Sequence, residues 1–186
     1  MGGIMRSVCK ALLLVALALL PVTAQAQCLP VDHANDDYMA LNRFWGTNIP
    51  ICQLRPGSNN AYADRDNGVV WADQSWLDQM AGMFGNWAAT GILAHEWGHM
   101  IQGNSQGTAA ELQADCLAGV FMRGAGLPPS TMQQFANANF FNGDPRWSYV
   151  GHGTGPQRMS AAMRGYHGYR GQTGLALQSV CPFSAF

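Results

Sequence analysis

The chain has 186 residues and a formal net charge of −1, with charged residues making up only 11% of it. No run of Lys or Arg stands anywhere along it, which argues against nucleic acid and anionic membrane as partners. Its length suits one domain with an adequate core and gives no reason for two.

Taken in chain order, the first segment reads as a secretory signal peptide over residues 1–26. Arg6 and Lys10 precede the apolar run Ala11 to Leu20, Pro21 breaks it, and Ala24-Gln25-Ala26 is an A-x-A cleavage site. The run is shorter than the ~20 apolar residues of a spanning helix, so no permanent membrane span is expected. The expectation is an exported protein, periplasmic or extracellular, whose mature domain is 27–186. Cleavage removes Arg6 and Lys10, leaving eight basic residues, all Arg, against eleven acidic ones, a net charge near −3. Cys28, Cys52, Cys116 and Cys181 remain, an even number that suggests disulfides. Three connectivities are possible, and Cys28–Cys181 is favoured as a staple of the two ends.

Residues 27–60 show little periodicity beyond a short helix from Asp36 to Trp45. Asn59 to Asn67 reads as loop, and Val69-Val70-Trp71 as a short strand that could offer an edge to an extended peptide. Asp73 is placed to cap a helix from Gln74 to Met83. Trp87, Ala88, Ile92, Leu93 and Ala94 then recur at helical spacing. Gly103 to Gly107 is a turn, and Thr108 is read as the cap of a helix from Ala109 to Arg123. Ser130 is read as the cap of another, running to about Phe141. Asn142 to Gly155 is loop, and Pro156 suits the first turn of a last helix ending near Gly165. The fold class expected is mainly α with a minor β component.

His95 and His99, in His95-Glu96-Trp97-Gly98-His99, are four residues apart, so on a helix both rings leave one face. That separation lets two imidazole nitrogens reach one Zn2+. Glu96 lies about 100° around the helix, where it can hold a water and act as general base. Gly98 removes a side chain where another backbone could approach. A third His six residues after His99 would mark a metzincin, but that position is Ser105. The next acidic residue is Glu111, in the first turn of the following helix, and a short turn makes the two helices antiparallel neighbours. Asp115, one turn on, is placed to take the free N–H of a ligand His. Glu96 and Glu111 are the only glutamates in the chain.

Three segments now carry a resemblance: Ala94 to Gln102, Glu111-Leu112-Gln113-Ala114-Asp115-Cys116-Leu117-Ala118-Gly119-Val120, and His152-Gly153-Thr154 followed by Gln157-Arg158. Together they resemble the bacterial neutral zinc metallopeptidase family, with its HExxHxxQ, ELQADCxAG and HGTxxQR pattern, across about 65 residues. Pro156 departs from the Glu usual in that pattern. The resemblance implies a zincin-like, gluzincin fold, zinc held by His95, His99 and Glu111, and Glu96 as catalytic acid and base, acting on a peptide or protein substrate. An Asp ligand, as in aspzincins, would instead put Asp115 on the metal.

Other residues carry two readings each. His152 could donate to the oxyanion formed at the scissile carbonyl, or simply make a local loop bond. Arg158 could orient a substrate carboxylate or pair with an Asp. Gln102 could brace the zinc helix, and Trp97 reads as core. The rival functions are a non-catalytic, zinc-stabilised envelope-binding module of the same fold and an amidase acting on cell-wall amides. Nothing in the sequence bears on oligomeric state.

Overall fold

The computed structural model describes residues 35–103 and 105–186. The segment expected to be a signal peptide and Cys28 lie outside them. The architecture is mainly helical, with six α-helices and one small sheet among the described residues. Helix α1 spans Asn35–Trp45, followed by strands β1 (Ile51–Gln53), β2 (Ala61–Asp64) and β3 (Val69–Ala72). Helices α2 (Gln74–Phe84), α3 (Asn86–Ile101), α4 (Thr108–Gly124), α5 (Pro129–Phe141) and α6 (Gly155–Gly168) complete the domain. Two short 3₁₀ turns, Gly174–Ser179 and Phe183–Ala185, order the tail that was read as irregular.

The sheet corrects the sequence reading in two ways. Residues 61–64, expected as loop, form β2, and the short β1 was not anticipated. The strand order is β1-β3-β2, so Val69–Ala72 is the central strand and offers no free edge. It pairs parallel with β1 and antiparallel with β2, Ile51 facing Val70 and Ala61 facing Ala72. Strands β1 and β2 are the two edges, and β2 is the one that lines the cavity described below. Its alternation is obscured because only Ala61 is buried, while Tyr62 faces solvent and Ala63 and Asp64 are half-buried.

Helix starts follow local chemistry, with two corrections. Asp73 caps α2 as expected, its carboxylate accepting from the backbone N–H of Ser75. Thr108 is instead the first residue of α4, and its hydroxyl donates to the carbonyls of Ser148 and Gly151. Pro129 opens α5 one residue before Ser130, using a ring pre-set for the first turn. Thr154 and Gln157 form a reciprocal capping box at the start of α6.

The core lies where α3 is wrapped by α2, α4, α5 and the sheet. Trp97, Leu93, Phe121, Phe135 and Tyr166 are buried in it. Trp97 is a core residue, as read, with its indole N–H donating to Asn42 at 3.3 Å. Two glycines let α4 and α6 touch backbone to backbone: a Cβ on Gly119 would lie 2.0 Å from the Ala162 carbonyl oxygen, and one on Gly165 would lie 1.8 Å from that of Cys116.

A disulfide joins Cys116 to Cys181, 65 residues apart, and both are buried. The expected Cys28–Cys181 pairing is therefore wrong: helix α4 presents Cys116 to the tail, where Gln113 also donates to the Cys181 carbonyl at 2.9 Å. Cys52 is disulfide-bonded as well. Closing a loop of that size restricts the unfolded chain by about 4 kcal/mol in the chain-entropy account. Replacing Cys116 and Cys181 together by Ala is expected to cost about 2–5 kcal/mol in urea unfolding. A loss below about 0.5 kcal/mol would show that the tail contributes nothing through this bond.

Candidate metal centre

Every residue of α3 from Ala88 to Gly98 is buried, His95 and Glu96 included. Polar groups on such a helix must be satisfied by one another or by a ligand. The Nε2 atoms of His95 and His99 stand 3.0 Å apart, and Glu111 Oε2 is 3.3 Å from the first and 3.4 Å from the second. Zinc–ligand distances of 2.0–2.1 Å at a tetrahedral angle place donor atoms about 3.3–3.4 Å apart. The two separations from Glu111 match that spacing and the His95–His99 separation is shorter, so His95, His99 and Glu111 form a group that could hold a metal.

Close packing of α3 and α4 brings these atoms together. A Cβ on Gly98 would lie 2.9 Å from Ala114 Cα, so only Gly permits this approach. Gln102 donates to the Ala110 carbonyl at 3.0 Å, which is the bracing role read for it. The contacts 98 with 114 and 102 with 110 run in opposite directions, so the helices are antiparallel, and Glu111 returns beside both rings.

On its other side, His95 Nδ1 lies 2.7 Å from Asp115 Oδ1. Asp115 is fully buried and also accepts from Asn139 at 2.8 Å and from Arg158, through Nε and Nη2, at 2.9 Å each. Both carboxylate oxygens are thus engaged, and they face the ring nitrogen turned away from Glu111. Of the two roles read for Arg158, pairing with an Asp is the one the geometry shows. Asn139 was not anticipated, because it belongs to α5 and no local pattern ties it to the motif.

The electrostatics follow from this burial. Burial alone would lower the His95 pKa, but the Asp115 carboxylate outweighs it and raises the ring to about 10. Burial alone would raise Asp115, yet the Arg158 and His95 charges hold it below its ordinary value. Glu111 is likewise held far down, its burial overcome by hydrogen bonds from the two His rings. Glu96 differs: burial raises its pKa, and the nearby His charges offset that only in part.

His95, Glu96, His99, Glu111 and Arg158 open into a cavity of about 440 Å³. Its walls include Ala61 and Tyr62 of the edge strand, Asn139 and Asn142 of α5 and the following loop, and His152. Of the two readings for His152, the local loop bond is the one seen. Its backbone N–H donates to Asp144 at 2.6 Å, while its ring, 64% exposed, lines the cavity. Asp144 and the edge strand β2 were both missed; neither carries a motif, and each is placed only by tertiary contacts.

No family model, curated protein or solved structure matches this chain.

Proposed function

We propose that the chain is an exported zinc-dependent peptidase with a gluzincin-like site. The observation that carries this reading is the His95–His99–Glu111 donor triangle, with the buried Glu96 carboxyl opening into the same cavity. When bound, zinc would supply Lewis-acid polarisation of the scissile carbonyl and a lowered pKa for the attacking water. Glu96 takes a proton from that water and delivers it to the leaving amine, a task suited by the upward shift that burial gives its pKa. Asp115 works through His95: it accepts the Nδ1 proton, which leaves Nε2 free to be a ligand. The β2 edge suits an extended peptide laid alongside it, and His152, which lines the same cavity, is available to the carbonyl oxygen. The buried Cys116–Cys181 disulfide supports an oxidising location, in line with the signal-peptide reading.

Metal analysis of the purified protein tests this. We expect one zinc per chain, lost in His95→Ala and in His99→Ala, together with cleavage of an unstructured protein substrate. Because Asp115 keeps the metal-free His95 protonated up to a pKa of about 10, zinc binding at pH 8 should also release a proton to the buffer. Unchanged zinc content in both His variants would end the proposal.

A further inference from the structure

Of the nine exposed large apolar side chains among the described residues, three fall within positions 147–150: Trp147 (48% exposed), Tyr149 (80%) and Val150 (89%). They stand on a loop that leaves the cavity wall at Asn142 and returns to it at His152. The loop is held shut at its neck, where the Asp144 N–H donates to the Gly153 carbonyl at 2.8 Å and Asp144 bridges Thr154. Its far side is tied to the start of α4, one turn before Glu111: the Thr108 N–H donates to the Tyr149 carbonyl at 3.1 Å and its hydroxyl to Gly151 at 2.8 Å. Gly107 leaves room for this seat, since a Cβ there would lie 2.5 Å from the Tyr149 oxygen. Trp147 and Tyr149 meet edge to face with ring centroids 4.3 Å apart. So the backbone is pinned at both ends and in the middle, while Tyr149 stands mostly in water and Trp147 about half so. Internal packing does not explain that exposure, and a preorganised apolar surface beside a cleft is inexpensive to bind.

We propose that this loop selects the substrate, and that it selects peptides bearing a large apolar side chain near the scissile bond, seated on the Trp147–Tyr149 pair. The proposal deepens the peptidase reading and rests on it for the word substrate. Zinc-loaded Glu96→Gln protein permits a binding test that needs no turnover. Dye-labelled peptides differing only in Phe or Ala at one position, scanned along an otherwise polar sequence, are titrated by fluorescence anisotropy. At one position the Phe peptide should bind about tenfold tighter than the Ala peptide, the worth of a well-seated aromatic contact. That ratio should fall to about one when Trp147→Ala and Tyr149→Ala are added, with an unchanged thermal midpoint showing that the fold is intact. A ratio that survives both substitutions, or no preference for Phe at any position, overturns the proposal, as does a failure of every peptide to bind. Pelleting with neutral phosphatidylcholine vesicles that is lost in the same double variant, without peptide selectivity, would also overturn it and give the loop to a lipid surface. Selective binding by a parent protein that hydrolyses nothing would instead sink the peptidase reading and leave the loop's selectivity standing.

Discussion

Glu96→Gln is expected to abolish hydrolysis, lowering kcat by about a thousandfold, while the protein keeps its full complement of zinc. The amide has the shape of the carboxylate and can still hold a water, but it cannot accept the water's proton. Glu96 is 7% exposed and its pKa is raised by burial, so its charge is costly in place. The same variant separates the peptidase from a zinc-stabilised binding module, in which the substitution would change nothing measurable. Peptide turnover at the parent rate, with zinc content equal in both proteins, would remove Glu96 from the mechanism.

Asp115→Asn is expected to damage both metal binding and the fold. The Asp115 carboxylate is the partner that compensates the buried Arg158 guanidinium, and it also orients His95. Leaving a buried charge uncompensated costs about 3–5 kcal/mol. In a domain of this size that lowers the thermal midpoint by roughly 10 °C. Zinc affinity should fall by about 10–100-fold, the usual loss when a ligand His loses its support. Glu111→Ala, which deletes a donor atom of the triangle, should lose more zinc with a smaller loss of stability. The double variant Asp115→Asn, Arg158→Met should recover part of the lost stability, because the stranded charge goes with its partner. Competitive zinc titration and thermal melts of the four proteins test this. Weaker zinc binding by Asp115→Asn than by Glu111→Ala would move the third ligand to Asp115.

The chemistry of the centre was legible in the sequence because it is local. Residues four apart on a helix share a face whatever the fold around them, so His95 and His99 converge, and a short turn obliges Glu111 on α4 to return beside them. Helices α1 to α6 announced themselves through periodicity and stop signals, with boundary errors of one to three residues: Thr108 and Pro129 lie inside helices they were expected to precede, and α6 runs on past Gly165 to Gly168.

Interactions between segments far apart in sequence were decided by the tertiary structure alone. Strand β2 is three-quarters exposed or half-exposed, so its pattern carries no strand signal, and only pairing with β3 makes it the free edge of the cleft. Cys181 pairs with Cys116 because α4 and the tail meet, a proximity that cysteine spacing does not encode. Arg158 reaches Asp115 because Gly119 and Gly165 let α6 press against α4, and Asn139 reaches it from α5, which packs on α3 and α6. The sequence by itself put His95 and His99 on one helix face and two candidate acids on the next helix, and the structure groups Glu111 with them. The packing decided what holds those residues still, since close approach of two backbones depends on the absence of side chains on both partners at once.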